Sequence, residues 1–330
     1  MSVAGGERLK VSLVATVLDE AETVVDWWRS ILSQTRLPDE VVVVDGGSRD
    51  GTVERLRELA EEAPFPVRVE ILPGSNIARG RNLAVSLVRH GIIAVTDAGC
   101  VLDPGWLKEL TTPFQEDPEV RLVAGFYQPL EGGWFEALSA CVTLPLPREV
   151  RGERFMPSSR SLAFRREVWE KAGGYPEWLD IGEDMYFNHR WKELGIRHVF
   201  RPKAVVYWRL RPDLPSLLRQ YFRYARGDGE SGMYPHRHLL RFAVYAALTW
   251  AAATRRGRRF LPLALLPASL YAGRRWRRIP AYFRGRPPAE KAAAAAAVPF
   301  LLAGVDAAKM AGYLQGLWRR WTSGRGSARG

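Results

Sequence analysis

The sequence predicts an α/β protein: a mostly parallel, doubly wound sheet with helices on both faces, followed by a basic and apolar helical region. Three observations lead there. Strand-like and helix-like runs alternate through the first 200 residues, one strand-like run is uniformly apolar, and the charge changes sign near residue 200. Alternation of this kind is the mark of parallel sheets built from right-handed crossovers.

Residues 11–17 are apolar and β-branched and form the first predicted strand. Residues 23–35 follow as a helix, with Trp27, Trp28, Ile31 and Leu32 on its buried face. Residues 41–45 read VVVVD, the uninterrupted run expected of a strand covered on both faces. Residues 51–62 carry Val53, Leu56 and Leu59 at helical spacing. A third strand at 67–72, a third helix at 77–88 and a fourth strand at 92–96 complete the series. In such sheets a ligand lies outside the carboxyl ends of the strands.

Two of those ends carry an aspartate, Asp45 and Asp97, each in a glycine-containing turn. Each could simply cap the helix that follows. Two at neighbouring strand ends point instead to a ligand crevice. The turn Asp45-Gly46-Gly47-Ser48-Arg49-Asp50-Gly51-Thr52 has the glycines that let backbone approach a ligand closely. It is neither a GxGxxG dinucleotide fingerprint nor a GK[ST] P-loop.

That turn resembles the DxGSxDGT block of family 2 glycosyltransferases. Thr16-Val17-Leu18-Asp19-Glu20 is similar to the family's Pro-x-Tyr-Asn-Glu strand end, with Thr16 for the proline and Asp19 for the asparagine. Arg79-Gly80-Arg81-Asn82 resembles its arginine–asparagine helix start, and Asp97-Ala98-Gly99 its DxD block, with Gly99 in place of the second aspartate. Gly173-Gly174-Tyr175 followed by Glu183-Asp184 resembles the GG[FY] and ED pair, and Gln220-Tyr221-Phe222-Arg223-Tyr224 the QxxRW of processive members, with Tyr224 for tryptophan. The blocks occur in family order over residues 10–228.

The resemblance implies a GT-A fold and an inverting glycosyltransferase whose catalytic domain spans residues 1–232. It implies a nucleoside-diphosphate sugar, UDP- or GDP-linked, held by Thr16, Glu20, Asp45, Gly47, Arg81, Asp97 and Ala98, with Asp45 on the base or ribose. Asp97 is the expected ligand of Mg²⁺ or Mn²⁺, which would neutralise charge on the leaving diphosphate. Gly99 makes that metal dependence reduced. Asp184, with Glu183 beside it, is the expected base that takes the acceptor's proton. An acidic first helical turn is the plain alternative for that pair. Arg160, in the polar stretch 157–161, and Gln220, Arg223 and Tyr224 are expected on the diphosphate and acceptor side. Arg suits a diphosphate because its planar fork makes paired, charge-assisted bonds. Gln220 and Arg223 are three residues apart and so share a helix face.

The rest of the chain differs in character. Residues 201–330 hold 25 Lys+Arg against 5 Asp+Glu, a net of +20, within a chain of net +12. Three uncharged runs, 242–254, 260–273 and 292–305, are 13, 14 and 14 residues long. Fourteen helical residues span roughly 21 Å, short of a hydrocarbon core of about 30 Å. Residues 255–259 and 274–278 each hold four arginines beside these runs. The expectation is a membrane-associating region, 233–330, lying on or dipping into the anionic cytosolic leaflet, where lipid-linked or saccharide acceptors would arrive. Helices packed on the catalytic domain are the alternative. Nucleic acid is not expected as a partner, since apolar runs this long read grooves poorly. Cys100 and Cys141 form no CxxC or His/Cys cluster, which argues against structural zinc and fits a reduced, cytosolic setting. The first ten residues show no secretion signal, and the Gly/Ser-rich end from residue 323 reads as a flexible terminus. The competing function is a catalytically idle, glycosyltransferase-like binding or scaffold protein. Gly99 favours idleness; Asp45, Asp97, Asp184 and Arg223 oppose it. Nucleotidyl transfer lacks a Gly-rich loop with a lysine near the first strand.

Overall fold

The computed structural model describes residues 9–323, without the side chains of residue 261 and residues 264–268. The expectations for the first eight residues and for the Gly/Ser-rich end beyond 323 lie outside the described residues. The chain divides into two compact units, Met1–Leu130 with Pro147–Arg209, and Glu131–Leu146 with Leu210–Gly330. The division therefore falls elsewhere than at residue 232, and an internal segment crosses to the C-terminal unit.

In the first unit the elements run β1 (Val11–Val17), α1 (Val24–Leu32), β2 (Glu40–Asp45), α2 (Thr52–Glu61), β3 (Val67–Ile71), α3 (Ile77–Leu87) and β4 (Ile92–Asp97). They continue through β5 (Cys100–Leu102), α4 (Trp106–Glu116) and β6 (Leu122–Pro129). After α5 (Trp134–Thr143), which belongs to the second unit, come β7 (Leu162–Arg165), α6 (Arg166–Ala172), α7 (Glu183–Glu193) and β8 (Val199–Trp208). The eight strands form one sheet in the order β3-β2-β1-β4-β7-β6-β8-β5. The four strands expected from the sequence, β3-β2-β1-β4, are parallel throughout. Beyond β4 the sheet is mixed: β7 runs antiparallel to β4 and β6, β8 runs parallel to β6, and β5 antiparallel to β8.

The apolar runs cover both faces, as a doubly wound sheet requires. Leu13, Ala15, Val41 and Val43 pack one core with Trp27, Trp28 and Ile31 of α1, Leu56 of α2 and Trp106 of α4. Val14, Val42 and Val44 pack the other with Ala84 and Val85 of α3, Val168 of α6, and Phe187 and Trp191 of α7. Each fully buried Val, Leu or Ile contributes about 1.5–3 kcal/mol.

The second unit continues with α8 (Leu214–Ser231), α9 (Pro235–Ala253), α10 (Leu261–Trp276), α11 (Ile279–Tyr282) and α12 (Pro288–Thr322). Leu138, Cys141 and Val142 of α5 are buried with Phe283, Ala294, Val298 and Val305. Its burial against α12 places α5 in this unit. The α8–α12 crossing is close because glycines line it. A Cβ on Gly312 or Gly316 would fall 2.1 Å from the carbonyl oxygens of Phe222 and Arg226, respectively.

The uncharged runs sit in longer helices than their own lengths suggest. α12 has 35 residues, about 52 Å at 1.5 Å per residue. By length and composition alone the helix is long and apolar enough to cross a bilayer, while the uncharged run within it stays at 14 residues; 33% of its most apolar stretch is buried within the protein. Further along α12, the buried Asp306 accepts hydrogen bonds from Arg241 Nε at 2.8 Å and Tyr245 Oη at 3.2 Å.

Candidate active site

Asp45 and Asp97 flank β1 but do not face each other. Val17 is in register with Asp45, and Thr16 with Asp97. Successive side chains of a strand alternate faces, so the two carboxylates leave the sheet on opposite sides. Asp97 follows Thr16 toward α3 and α7; Asp45 follows Val17 to the other face.

Asp45 is buried and engaged by its own turn. Its Oδ1 accepts the backbone N–H groups of Gly47 and Ser48 at 2.7 and 2.8 Å, and its Oδ2 the Ser48 hydroxyl. Gly47 has φ 101°, and a Cβ there would meet Pro73 Cα at 3.1 Å, so glycine is required. The aspartate is a clasp for this loop and does not cap α2, whose N-cap is Gly51. The loop in turn grips the end of β1: Asp19 donates its N–H to Ser48 Oγ at 2.8 Å, and Glu20 donates its own to Thr52 Oγ1 at 2.9 Å.

On the other face a polar circuit surrounds Asp97. Arg81, on α3 and 1% exposed, donates from Nη1 to Glu183 Oε1 at 2.8 Å and from Nη2 to Asp97 Oδ1 at 3.1 Å, with its guanidinium 4.9 Å from the Tyr175 ring centre. Burial works against this charge, but the Glu183 and Asp97 carboxylates outweigh it and hold the guanidinium above its ordinary range. Arg160 reaches the second oxygen of Asp97, Nε to Oδ2 3.4 Å, while lying over the Trp208 ring at 4.2 Å. Its Nη1 donates to Ser158 Oγ at 3.2 Å, and Ser158 Oγ donates to Asp184 Oδ2 at 3.2 Å. Asp184, Ser158, Arg160, Asp97, Arg81 and Glu183 thus form one linked series across the end of β4, the loop before β7, α3 and α7.

The pair that opens α7 is divided in role. Glu183 is 5% exposed and consumed by Arg81; burial, and then the adjacent Asp184, push its carboxyl above the usual range. Asp184 is only partly buried and keeps an oxygen toward Ser158. The turn before α7 is shaped by Gly182 at φ 86°, and Asn82 fastens the Gly-Gly-Tyr segment by accepting from Tyr175 N and donating to Tyr175 O, both at 2.8 Å.

Several expected positions sit differently from the sequence reading. Arg81 is enclosed by its two carboxylates, so its guanidinium faces protein rather than an open crevice. Ala98 is buried in the α1 and α4 core and leaves only backbone for a ligand. Gln220 and Arg223 are neighbours on α8 but differ in exposure: Gln220 is buried and donates to Tyr224 Oη at 2.9 Å, while Arg223 is exposed. These three belong to the second unit. Ser158 and Trp208 were missed as individual site residues. Ser158 lay in a segment already marked as polar; Trp208 ends a strand that no periodic signal announced.

Among the described residues no three His, Cys, Asp or Glu side chains converge as a ligand set. Asp97, with 23% of its side chain exposed, is the carboxylate at the crevice. One carboxylate completed by substrate phosphate oxygens suits Mg²⁺-type binding, so the residues fit an ion shared with a diphosphate.

A half-parallel, half-mixed sheet with this strand order, and a carboxylate–arginine circuit beyond the parallel strand ends, is an architecture of the GT-A type. The glycosyltransferase family 2 model matches residues 12–172, a little under half of the chain. Glycosyltransferase AglE of Haloferax volcanii is 28% identical over 250 residues, 73% of this chain and 79% of its own. The O-antigen chain rhamnosyltransferase RfbN of Salmonella typhimurium is 27% identical over 210 residues, 60% and 66% of the two chains. In fold, the chain resembles the mannosyltransferase PcManGT of Pyrobaculum calidifontis, solved with GDP-Man and Mn²⁺. The TM-score is 0.58 at 20% identity, over 95% of this chain and 88% of that one. The protein is a glycosyltransferase.

Proposed function

We propose that this enzyme transfers a sugar, with inversion, from a UDP- or GDP-linked donor to a lipid-linked or polysaccharide acceptor at the cytosolic membrane face. The observation that carries the reading is the partly exposed Asp184, tied through Ser158 and Arg160 to Asp97. Asp184 takes the proton of the acceptor hydroxyl as its oxygen attacks the anomeric carbon from the side opposite the diphosphate. Arg160 turns its fork to the departing diphosphate, and Trp208 beneath it keeps the guanidinium in place. Arg81 and Glu183 act through Asp97 by holding its carboxylate at the crevice. Asp97 would hold Mg²⁺ or Mn²⁺, which supplies positive charge to the diphosphate when bound. The Asp45 turn forms the wall for base and ribose, and Arg223 and Tyr224 serve the acceptor side. The nucleotide and ion bound by the mannosyltransferase support this donor chemistry, and the rhamnosyltransferase supports a glycan acceptor.

The second unit holds the enzyme to an anionic leaflet. Phe260, Leu263 and Leu270 are exposed apolar side chains between the two arginine clusters, with the exposed Trp250 before the first and Trp276 within the second. Juxtamembrane basic residues contribute about 1 kcal/mol each. Asp306 and Lys309 within α12 oppose its passage through hydrocarbon, at about 2.5–3.5 kcal/mol for a charge at the centre.

The test is a thermal-shift and calorimetric screen of UDP, GDP and their sugars, with Mn²⁺ and with chelator, followed by transfer assays. Binding of one nucleotide series with hydrolysis or transfer of its sugar is expected. No binding of any nucleotide would refute the donor reading.

A further inference from the structure

Gly99 stands where a second aspartate would complete Asp97-Ala98-Gly99, yet the space its side chain would occupy is filled. A Cβ built on Gly99 would lie 3.3 and 3.5 Å from the two carboxylate oxygens of Glu20. Glu20 comes from the neighbouring strand: it follows the end of β1, while Gly99 follows β4. Its position is set by the backbone. Asp19 takes φ 52°, a conformation that L residues seldom adopt, and is held there by its N–H on Ser48 Oγ at 2.8 Å and by its Oδ1, which accepts Arg49 N–H at 2.9 Å. Glu20 N–H is fixed on Thr52 Oγ1, and the Thr23 hydroxyl donates to Glu20 Oε2. The carboxylates of Glu20 and Asp97 also act on one common group. After burial, it is Asp97 and Glu20 that push the enclosed Cys100 thiol up, while Arg160 opposes them.

We infer that Glu20 supplies the second carboxylate of the divalent-cation site, acting with Asp97 on an ion shared with the donor diphosphate, and that Gly99 is small to make room for it. The inference rests on the diphosphate-donor reading. A carboxylate delivered from β1 does the chemistry that the family's second aspartate does from the β4 turn. Hard oxygen donors from two strand ends plus phosphate oxygens satisfy Mg²⁺ or Mn²⁺. The absence of a side chain at residue 99 is then a consequence of where Glu20 lies, and the site is complete.

The experiment is Mn²⁺ binding to the full chain, read by electron paramagnetic resonance of free Mn²⁺, alone and with the nucleoside diphosphate found in the screen. Nucleotide binding in chelator is measured in parallel, and thermal melting checks folding. Glu20→Gln is expected to weaken Mn²⁺ binding by about tenfold or more, a loss on the order of 1.4 kcal/mol. Gly99→Asp, which puts a second acid against Glu20, is expected to weaken it too. The double variant Glu20→Ala/Gly99→Asp is expected to recover binding to within about threefold of the parent, because the acid is returned to the vacated space. Wild-type Mn²⁺ affinity in a folded Glu20→Gln protein overturns the inference, as does a folded double variant no better than Gly99→Asp. A parent that binds the nucleotide but no Mn²⁺ overturns it and leaves the donor reading standing. A parent that binds neither overturns both.

Discussion

Replacing Arg81 by methionine tests whether the buried arginine is the strut of the site. Arg81 is 1% exposed and lies between Glu183 Oε1 at 2.8 Å and Asp97 Oδ1 at 3.1 Å. Methionine keeps much of the volume and removes the charge. Glu183, itself 5% exposed and beside Asp184, is then a buried acid without a cation. Removing one partner of a buried pair costs about 3–5 kcal/mol. The cation–π contact with Tyr175 is worth another ~0.5–2 kcal/mol. Against this, Arg81 Nε is buried without a hydrogen-bond partner, and its release returns about 1 kcal/mol or more. The net expectation is a loss of roughly 3 kcal/mol. For a unit of this size that lowers Tm by roughly 6–12 °C. Urea and thermal unfolding of Arg81→Met, Glu183→Leu and the double variant measure it as a cycle. The double variant should recover most of the loss, since an apolar replacement of a buried pair is often neutral. It should still transfer sugar poorly, because Asp97 has lost its support. A loss under about 1 kcal/mol in Arg81→Met, or a double variant no more stable than the single, would refute the strut.

Asp184→Asn keeps shape and removes the proton acceptor, so turnover should fall about 10²-fold or more while nucleotide affinity persists; near wild-type turnover with the true acceptor would exclude it as the base. His198 is held below its ordinary pKa chiefly by burial, with the charge of Lys192 adding to it and the Gly152 carbonyl opposing. A folded pKa below the unfolded value of about 6.5 means the unfolded chain binds more protons, so stability should fall as pH drops below 6.5. Melting at pH 7.5, 6.5 and 5.5 should show a smaller decline in His198→Gln than in the parent, and equal declines would remove His198 from the effect. In liposome flotation the full chain should rise with anionic vesicles and stay down with neutral ones; failure to float with either makes the second unit ordinary helical packing.

The four parallel strands and their helices were legible because each is a local pattern: a run such as VVVVD has a period and an end that can be read without knowing its neighbours. The later strands were less so. β8 carries the exposed Lys203 and pairs with β6 across nearly eighty residues, and such pairing leaves no local mark. The same limit applied to α5, whose helical pattern is plain but whose partner, α12, lies more than 150 residues away.

Site residue types were legible, and their roles were not. The sequence by itself determined that carboxylates end β2 and β4, that an acidic pair opens α7, that Gly99 breaks the metal motif and that the last 130 residues carry a net of +20. Only the tertiary structure decided that Asp45 and Asp97 leave opposite faces of the sheet, because that depends on the register of β1 with its two neighbours. Only packing decided that Glu183 is spent on Arg81 while Asp184 stays accessible, since adjacent residues on a helix point about 100° apart and one must turn toward α3. The position of Glu20 over Gly99 depends on a left-handed turn at Asp19 that is held from another strand's loop. Which groups meet across a sheet is set by long-range register and burial, and those are properties of the folded chain rather than of any one segment.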